Sequence, residues 1–158
     1  ESLASGVGNS DSASFSPDGR RIVYVHCAVR SEEGNTRVMA YPEIWVMDAD
    51  GSGKRKLTDG KSWDYQPAWS PDGRSLAFIS SRSAGYDNVF VMDADGSGVR
   101  QLTKQDYRKK MSPACSKDGK HICYLSEETF KRKLCVVPAG GGESVEIADG
   151  CVDFDVGE

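Results

Sequence analysis

The sequence is poor in the residues that carry most enzymatic chemistry. Only two of its 158 residues are histidines, His26 and His121, and neither stands in a recognisable catalytic pattern. No Gly-x-Ser-x-Gly elbow occurs, which removes the signature of an α/β-type serine hydrolase. Cys-x-x-Cys pairs are also missing, and with so little histidine no zinc site is expected. No apolar stretch approaches the roughly 20 residues that cross a bilayer as a helix. The net charge is only −4, from 20 Lys and Arg against 24 Asp and Glu, too weak a field to point to nucleic acid or an anionic membrane. Hydrophobic residues make up 38% of the chain, which suits many short strands joined by polar turns better than one large core. No Gly-rich phosphate loop opens a helix, because no helix is expected, and no cofactor is implied.

Five cysteines are present, Cys27, Cys115, Cys123, Cys135 and Cys151. Five is odd, so at least one has no partner within the chain. Cys115, Cys123 and Cys135 fall in expected strands whose repeat-mates carry Trp69, Ala77 and Phe90, so they read as small buried hydrophobes. The redox compartment stays open.

The chain is rich in repetition. Ser16-Pro17-Asp18-Gly19-Arg20 returns as Ser70-Pro71-Asp72-Gly73-Arg74 and again as Ser116-Lys117-Asp118-Gly119-Lys120. Met47-Asp48-Ala49-Asp50-Gly51-Ser52-Gly53 returns as Met92-Asp93-Ala94-Asp95-Gly96-Ser97-Gly98. A period of roughly 40 to 50 residues marks a repeat architecture. The repeated residues are turn formers: Pro presets φ, Asp bonds its own turn and Gly accepts φ > 0. In the second copy they separate four strands, A (Pro67 to Ser70), B (Ser75 to Ser80), C (Asn88 to Met92) and D (Val99 to Thr103). Four antiparallel strands in about 45 residues make one propeller blade.

The same map places blades at about 14–59, 67–104 and 113–149, with end strands at 1–4 (a D strand) and 152–155 (an A strand). The first copy has its extra residues between strands B and C, around His26 to Pro42. The expected fold is all-β, with about three four-stranded blades and partial end strands. Propellers typically close with about four to eight blades. Three blades are therefore part of a longer propeller, half of a six-bladed ring completed by a second copy, or an array capped by its own tails. The chain starts at Glu1 rather than Met, so the lack of a leader carries no weight.

The Ser-Pro-Asp-Gly-Arg turn before an apolar strand, followed by Ile44-Trp45-Val46-Met47-Asp48-Ala49-Asp50-Gly51-Ser52-Gly53 and Leu57-Thr58, resembles the WD-repeat-like propeller repeat of the TolB carboxy-terminal domain. The same repeat appears in the propellers of prolyl-oligopeptidase-type peptidases and of the tricorn protease. The third copy departs from it, with Lys117 for Pro and Pro138-Ala139-Gly140-Gly141-Gly142-Glu143 for the Asp-rich turn. The resemblance implies a non-catalytic module that binds protein, resident in the periplasm or secreted. It also leaves an alternative, the accessory propeller of a peptidase whose catalytic domain lies outside this chain. A sugar- or peptide-binding propeller is a third reading. No catalytic residue is assigned.

Two residue sets compete for a site. Asp48, Asp50 and Ser52 with Asp59 imitate a calcium loop, but the second copy has Lys104 in the place of Asp59 and the third lacks the acidic pair. They read as turn residues, and no metal is expected. Blade geometry points elsewhere. A–B and C–D turns share one face, and B–C and D–A loops share the other. The second face collects Trp63, Asp64, Tyr65, Tyr86, Asp87, Tyr107, Arg108, Lys109 and Arg132. Aromatics and arginine on loops are the usual contact anchors, so these nine are the expected binding residues, with Trp63 and Tyr65 also suited to sealing blade contacts. Charge divides along that face: Arg108, Lys109, Lys110, Lys131, Arg132 and Lys133 in the third blade, Glu32, Glu33, Asp64 and Asp87 in the first two. A protein of complementary charge, or a second copy, fits this better than nucleic acid does.

Overall fold

The computed structural model describes residues 12–32, 36–104, 106–129 and 131–150, with only the backbone described for 29–32 and 36–39. The expected end strands at 1–4 and 152–155, with Cys151, lie outside them. The described residues form three four-stranded antiparallel sheets and one small hairpin. The first sheet holds β1 (Ala13–Phe15), β2 (Arg21–His26), β5 (Glu43–Asp48) and β6 (Arg55–Lys56). The second holds β7 (Asp64–Trp69), β8 (Ser75–Ser80), β9 (Asn88–Asp93) and β10 (Arg100–Gln101). The third holds β11 (Lys109–Cys115), β12 (His121–Glu128), β13 (Lys131–Pro138) and β14 (Val145–Asp149). Each is an up-and-down meander, a propeller blade, and the three blades do not close on themselves.

The repeated turns behave as their chemistry requires. Ser16 Oγ donates to Asp18 Oδ1 at 2.6 Å and accepts from the Arg21 amide at 2.9 Å. The same Ser–Asp bond recurs at Ser70–Asp72, 2.6 Å, and at Ser116–Asp118, 2.7 Å. Lys117 in place of proline leaves it intact. The A–B and C–D turns are stitched together on one face, through Ala49 N to Arg20 O, Ala94 N to Arg74 O and Ala139 N to Lys120 O, each 2.8 Å. The third of these uses the Gly-rich turn, which closes the β13–β14 hairpin with Gly141 N donating to Pro138 O.

Two apolar clusters hold the blades together. Val23, Ile44, Val46 and Leu57 of the first blade meet Leu76, Phe78, Phe90 and Met92 of the second. The other face of the second blade, Ala77, Ile79, Val89, Val91 and Leu102, meets Ile122, Tyr124, Cys135 and Val137 of the third. Fully burying one such large side chain contributes about 1.5–3 kcal/mol, so these seams dominate the stability. Arginines tie the rims. Arg55 donates to the Asp95 and Ala94 carbonyls of the next blade, and Arg100 repeats the contact on Ala139. Arg21 lies over Trp69 and donates to Gly73 O.

Two expectations about loops are corrected. The stretch from His26 to Pro42 holds a hairpin, β3 (Val29–Glu32) paired with β4 (Thr36–Met39), closed at its base by Ala40 N donating to Ala28 O. Val29, Thr36 and Val38 are β-branched, which favours strands even in an insertion. In the third blade, Lys109 and Lys110 lie in β11 and Lys131 and Arg132 in β13, not in loops. Their ladder continues because Glu127 opposes Arg132 and Glu128 opposes Lys131, and opposite charges across strands support pairing.

Candidate functional site

β7 and β11 are the first strands of their sheets, and each packs on the blade before it. Both begin earlier than Pro67 and Pro113 indicate, at Asp64 and Lys109, and both have a register shift just before the proline. At that bulge the chain turns left-handed at non-glycine residues, Gln66 (φ +52°) and Ser112 (φ +52°), and Ser12 (φ +65°) holds the same repeat position in the first blade. Such residues are strained and concentrate where a surface has a task. Gln66 Oε1 accepts from the Ser112 amide at 2.8 Å, tying two bulges together across the seam.

The bulges adjoin the loop face, where aromatic side chains crown the seams between blades. Tyr41 and Trp63 meet edge to face at 6.0 Å across the first seam. Tyr86 and Tyr107 meet edge to face at 5.4 Å across the second. All four stay exposed, Tyr107 at 90%. Tyr41 was expected only as part of the long first-blade loop. Its signal in the sequence is that Tyr86 follows it by one repeat length.

The nine expected residues separate into groups. Trp63, Tyr65, Asp87 and Lys109 come together around a cavity of about 540 Å³ that also takes in Gln66 and Ser12. Tyr65 is half-buried, with the Asp87 carboxylate beside it in the cavity lining. Burial first, and then the neighbouring Asp87 carboxylate, push its phenol well above the ordinary tyrosine range, so it stays neutral. Tyr86 and Tyr107 stand as the exposed aromatic pair nearby. Asp64 is removed from any partner: it is fully buried in β7, and Arg82 grips both its oxygens at 3.0 and 3.1 Å. Arg82 is itself held against Phe78 and Phe90.

Arg108 and Arg132 lie on the flank of the third blade, by a wider hollow of about 1060 Å³. Their charges are answered there. Arg108 pairs with Glu128 at 3.0 Å and Glu146 at 2.9 Å, Arg132 with Glu127 at 2.7 Å, and Lys133 with Glu146 at 2.7 Å. Lys110 is buried and paired with Asp106. The expected division of charge into a basic third blade is therefore largely neutralised. Phe130 and Glu33 lie outside the described residues. The smaller cavity is the stronger candidate, because no ion pair among the described residues takes up its Asp87 or Lys109.

The calcium-like residues are used by their own turns. Asp50 Oδ1 accepts from the Ser52 amide at 2.8 Å and the Ser52 hydroxyl at 2.6 Å. Asp59 faces Lys61 at 3.4 Å. Cys27, Cys115, Cys123 and Cys135 are free thiols. Burial pushes Cys115 up to about 11, which makes it inert rather than nucleophilic.

A profile of the TolB beta propeller domain matches residues 1–154. The chain belongs to the TolB β-propeller domain family. Among solved structures, a putative TolB from Agrobacterium tumefaciens superposes with a TM-score of 0.76 at 24% identity, over 93% of this chain and 51% of that one. A puromycin-hydrolysing peptidase of Mycobacterium tuberculosis superposes at 0.65 with 21% identity, over 86% of this chain and 21% of that one. Likeness at these identities concerns the fold. In sequence, the chain is 33% identical to the uncharacterized peptidase YuxL of Bacillus subtilis over 132 residues, 84% of this chain and 18% of the relative. It is 40% identical to dipeptidyl-peptidase 5 of Porphyromonas gingivalis over 67 residues, 42% of this chain and 9% of the relative. This TolB-type propeller thus spans less than a fifth of the length of those two peptidase-named relatives.

Proposed function

We propose that this propeller is a non-catalytic binding module that engages protein through its B–C and D–A loop face. The observation that carries the reading is the pair of exposed edge-to-face aromatic contacts, Tyr41–Trp63 and Tyr86–Tyr107, one over each seam. Exposed aromatics grouped on one rigid face are the usual anchors of protein contacts. The opposite face carries only short turns whose polar groups bond one another. The test is a capture experiment on extract of the source cells. The immobilised chain is compared with Trp63→Ala/Tyr107→Ala and, as control, Arg20→Ala/Arg74→Ala on the turn face. The loop-face variant loses the captured proteins and the turn-face variant keeps them. Equal capture by all three removes the loop face from consideration.

A second reading is favoured by the 33% identity to a peptidase-named protein over most of this chain. On it, the module is the accessory propeller of a peptidase and the same face meets peptide substrate. Residence in the periplasm or outside the cell goes with the TolB likeness. The open third seam supports self-association. Ile147 holds the repeat position of Leu57 and Leu102, which are 8% and 6% exposed in their seams, yet Ile147 is 56% exposed. A second copy presenting its first blade there would make a six-bladed ring.

A further inference from the structure

We infer that the cavity of about 540 Å³ on the loop face is a site for a short apolar peptide with both termini free, its ammonium on Asp87 and its carboxylate on Lys109. The inference rests on the loop-face reading and names the ligand of one part of that face.

The first argument is charge. Asp87 and Lys109 line the same cavity. Tyr65, the neighbour of Asp87 in the lining, is a neutral phenol and brings no countercharge. Neither Asp87 nor Lys109 forms an ion pair among the described residues, whereas Arg82, Arg108, Lys110, Arg132 and Lys133 all do. A carboxylate and an ammonium left unpaired in one hollow are complementary to a ligand carrying both charges.

The second argument is the supporting geometry. Gln66 spends its Oε1 on the Ser112 amide of β11, the strand that also carries Lys109. Its Nε2 makes no hydrogen bond among the described residues, so it is free to donate to a carboxylate. Tyr65 and Asp87 line the same cavity side by side. The site is thus supported by the two strained bulges, which is a reason for non-glycine residues to keep φ near +50° there.

The third argument is the remaining wall. Val25, Cys27, Pro42 and Trp63 are apolar and suit an aliphatic side chain. The volume falls within the roughly 300–1,000 Å³ of small-ligand sites. A neutral sugar would hydrogen-bond Asp87 and Lys109 without cancelling either charge, and a nucleotide would bring its phosphates to the carboxylate.

The test is calorimetric titration of the chain with leucyl-leucine, its N-acetylated form and its C-amidated form, up to millimolar concentrations. The free dipeptide binds, and each cap weakens binding about tenfold or more, the effect of losing one charge-assisted bond. Asp87→Asn abolishes discrimination against the acetylated form, and Lys109→Gln abolishes discrimination against the amidated form. Both positions are at the surface or only partly buried, so both variants keep the wild-type melting temperature. Equal binding of the free, the N-acetylated and the C-amidated peptide overturns the terminus assignment while leaving peptide binding on this face intact. No heat with any form overturns the site itself. Failure of the loop-face reading shows separately, as capture unaffected by Trp63→Ala/Tyr107→Ala.

Discussion

Gly73 illustrates how little freedom the repeated turns allow. Its φ is +68°, and an added Cβ would meet nothing closer than Pro17 Cδ at 3.6 Å. Space is therefore available and only the backbone objects. Gly73→Val is expected to cost about 1–2 kcal/mol, a fall of several degrees in a melt followed by circular dichroism. Gly73→Asn, which tolerates the left-handed region, should cost less, and equal melting of all three proteins would contradict the turn assignment. The aspartates of the same turns give a pH dependence. Asp18, Asp72 and Asp118 are held below the ordinary 3.8, by hydrogen bonds from the turn serine and from the backbone amide two residues on. Because their folded-state values are depressed, their contribution is complete above about pH 4–5 and is lost as the pH falls through them. Melting temperature should be flat from pH 7 to about 5 and drop below pH 4. A rise on acidification would reverse the sign of this account.

At the level of the strand, the buried pair Asp64–Arg82 shows what periodicity alone could not reveal. Asp64 lies beside Trp63 and Tyr65 in a polar stretch that reads as loop, yet it is the first residue of β7 and fully buried. The equivalent position in the third blade is Lys110, also buried and also paired, with the sign reversed. Removing one member of a buried pair leaves the other uncompensated, so Asp64→Ala should destabilise by about 3 kcal/mol. Adding Arg82→Met should recover most of that loss, and denaturant unfolding of the single and double variants measures both. A double variant as unstable as the single would mean that Arg82 supports the fold by stacking on Phe78 and Phe90 rather than by charge. The bulges at Gln66 and Ser112 were equally hidden, since Pro67 and Pro113 are natural places to begin a strand and the residues before them show no alternation.

For the whole molecule, the third blade is the informative one. Ile147 is exposed where Leu57 and Leu102 are covered, and Val145 beside it is 60% exposed. If two copies complete a ring, light scattering on a size-exclusion column gives twice the chain mass, and Ile147→Asp converts it to the monomer. A wild-type monomer would remove self-association and leave the third seam to a further blade. Either way the loop face keeps its aromatic pairs, which depend on the two seams already formed within one chain.

Blade architecture was legible from the chain itself, because turn chemistry is local. Ser, Pro, Asp and Gly at fixed offsets form their own hydrogen bonds whatever surrounds them, and three copies of the pattern separate the strands. The aromatic loops could be assigned to one face for the same reason, as meander connectivity alone puts B–C and D–A loops together. Which of those residues stay available was decided only by how strands distant in sequence align, within a blade and across a seam. Asp64 disappears against Arg82, and Arg108 and Arg132 are neutralised by Glu128, Glu146 and Glu127. Asp87, whose repeat-mates are Pro42 and Arg132, and Lys109, whose repeat-mate is Trp63, meet around one cavity. Pairings between residues of different strands, within a blade or across a seam, depend on how the tertiary structure aligns side chains distant in sequence, and no local pattern encodes that.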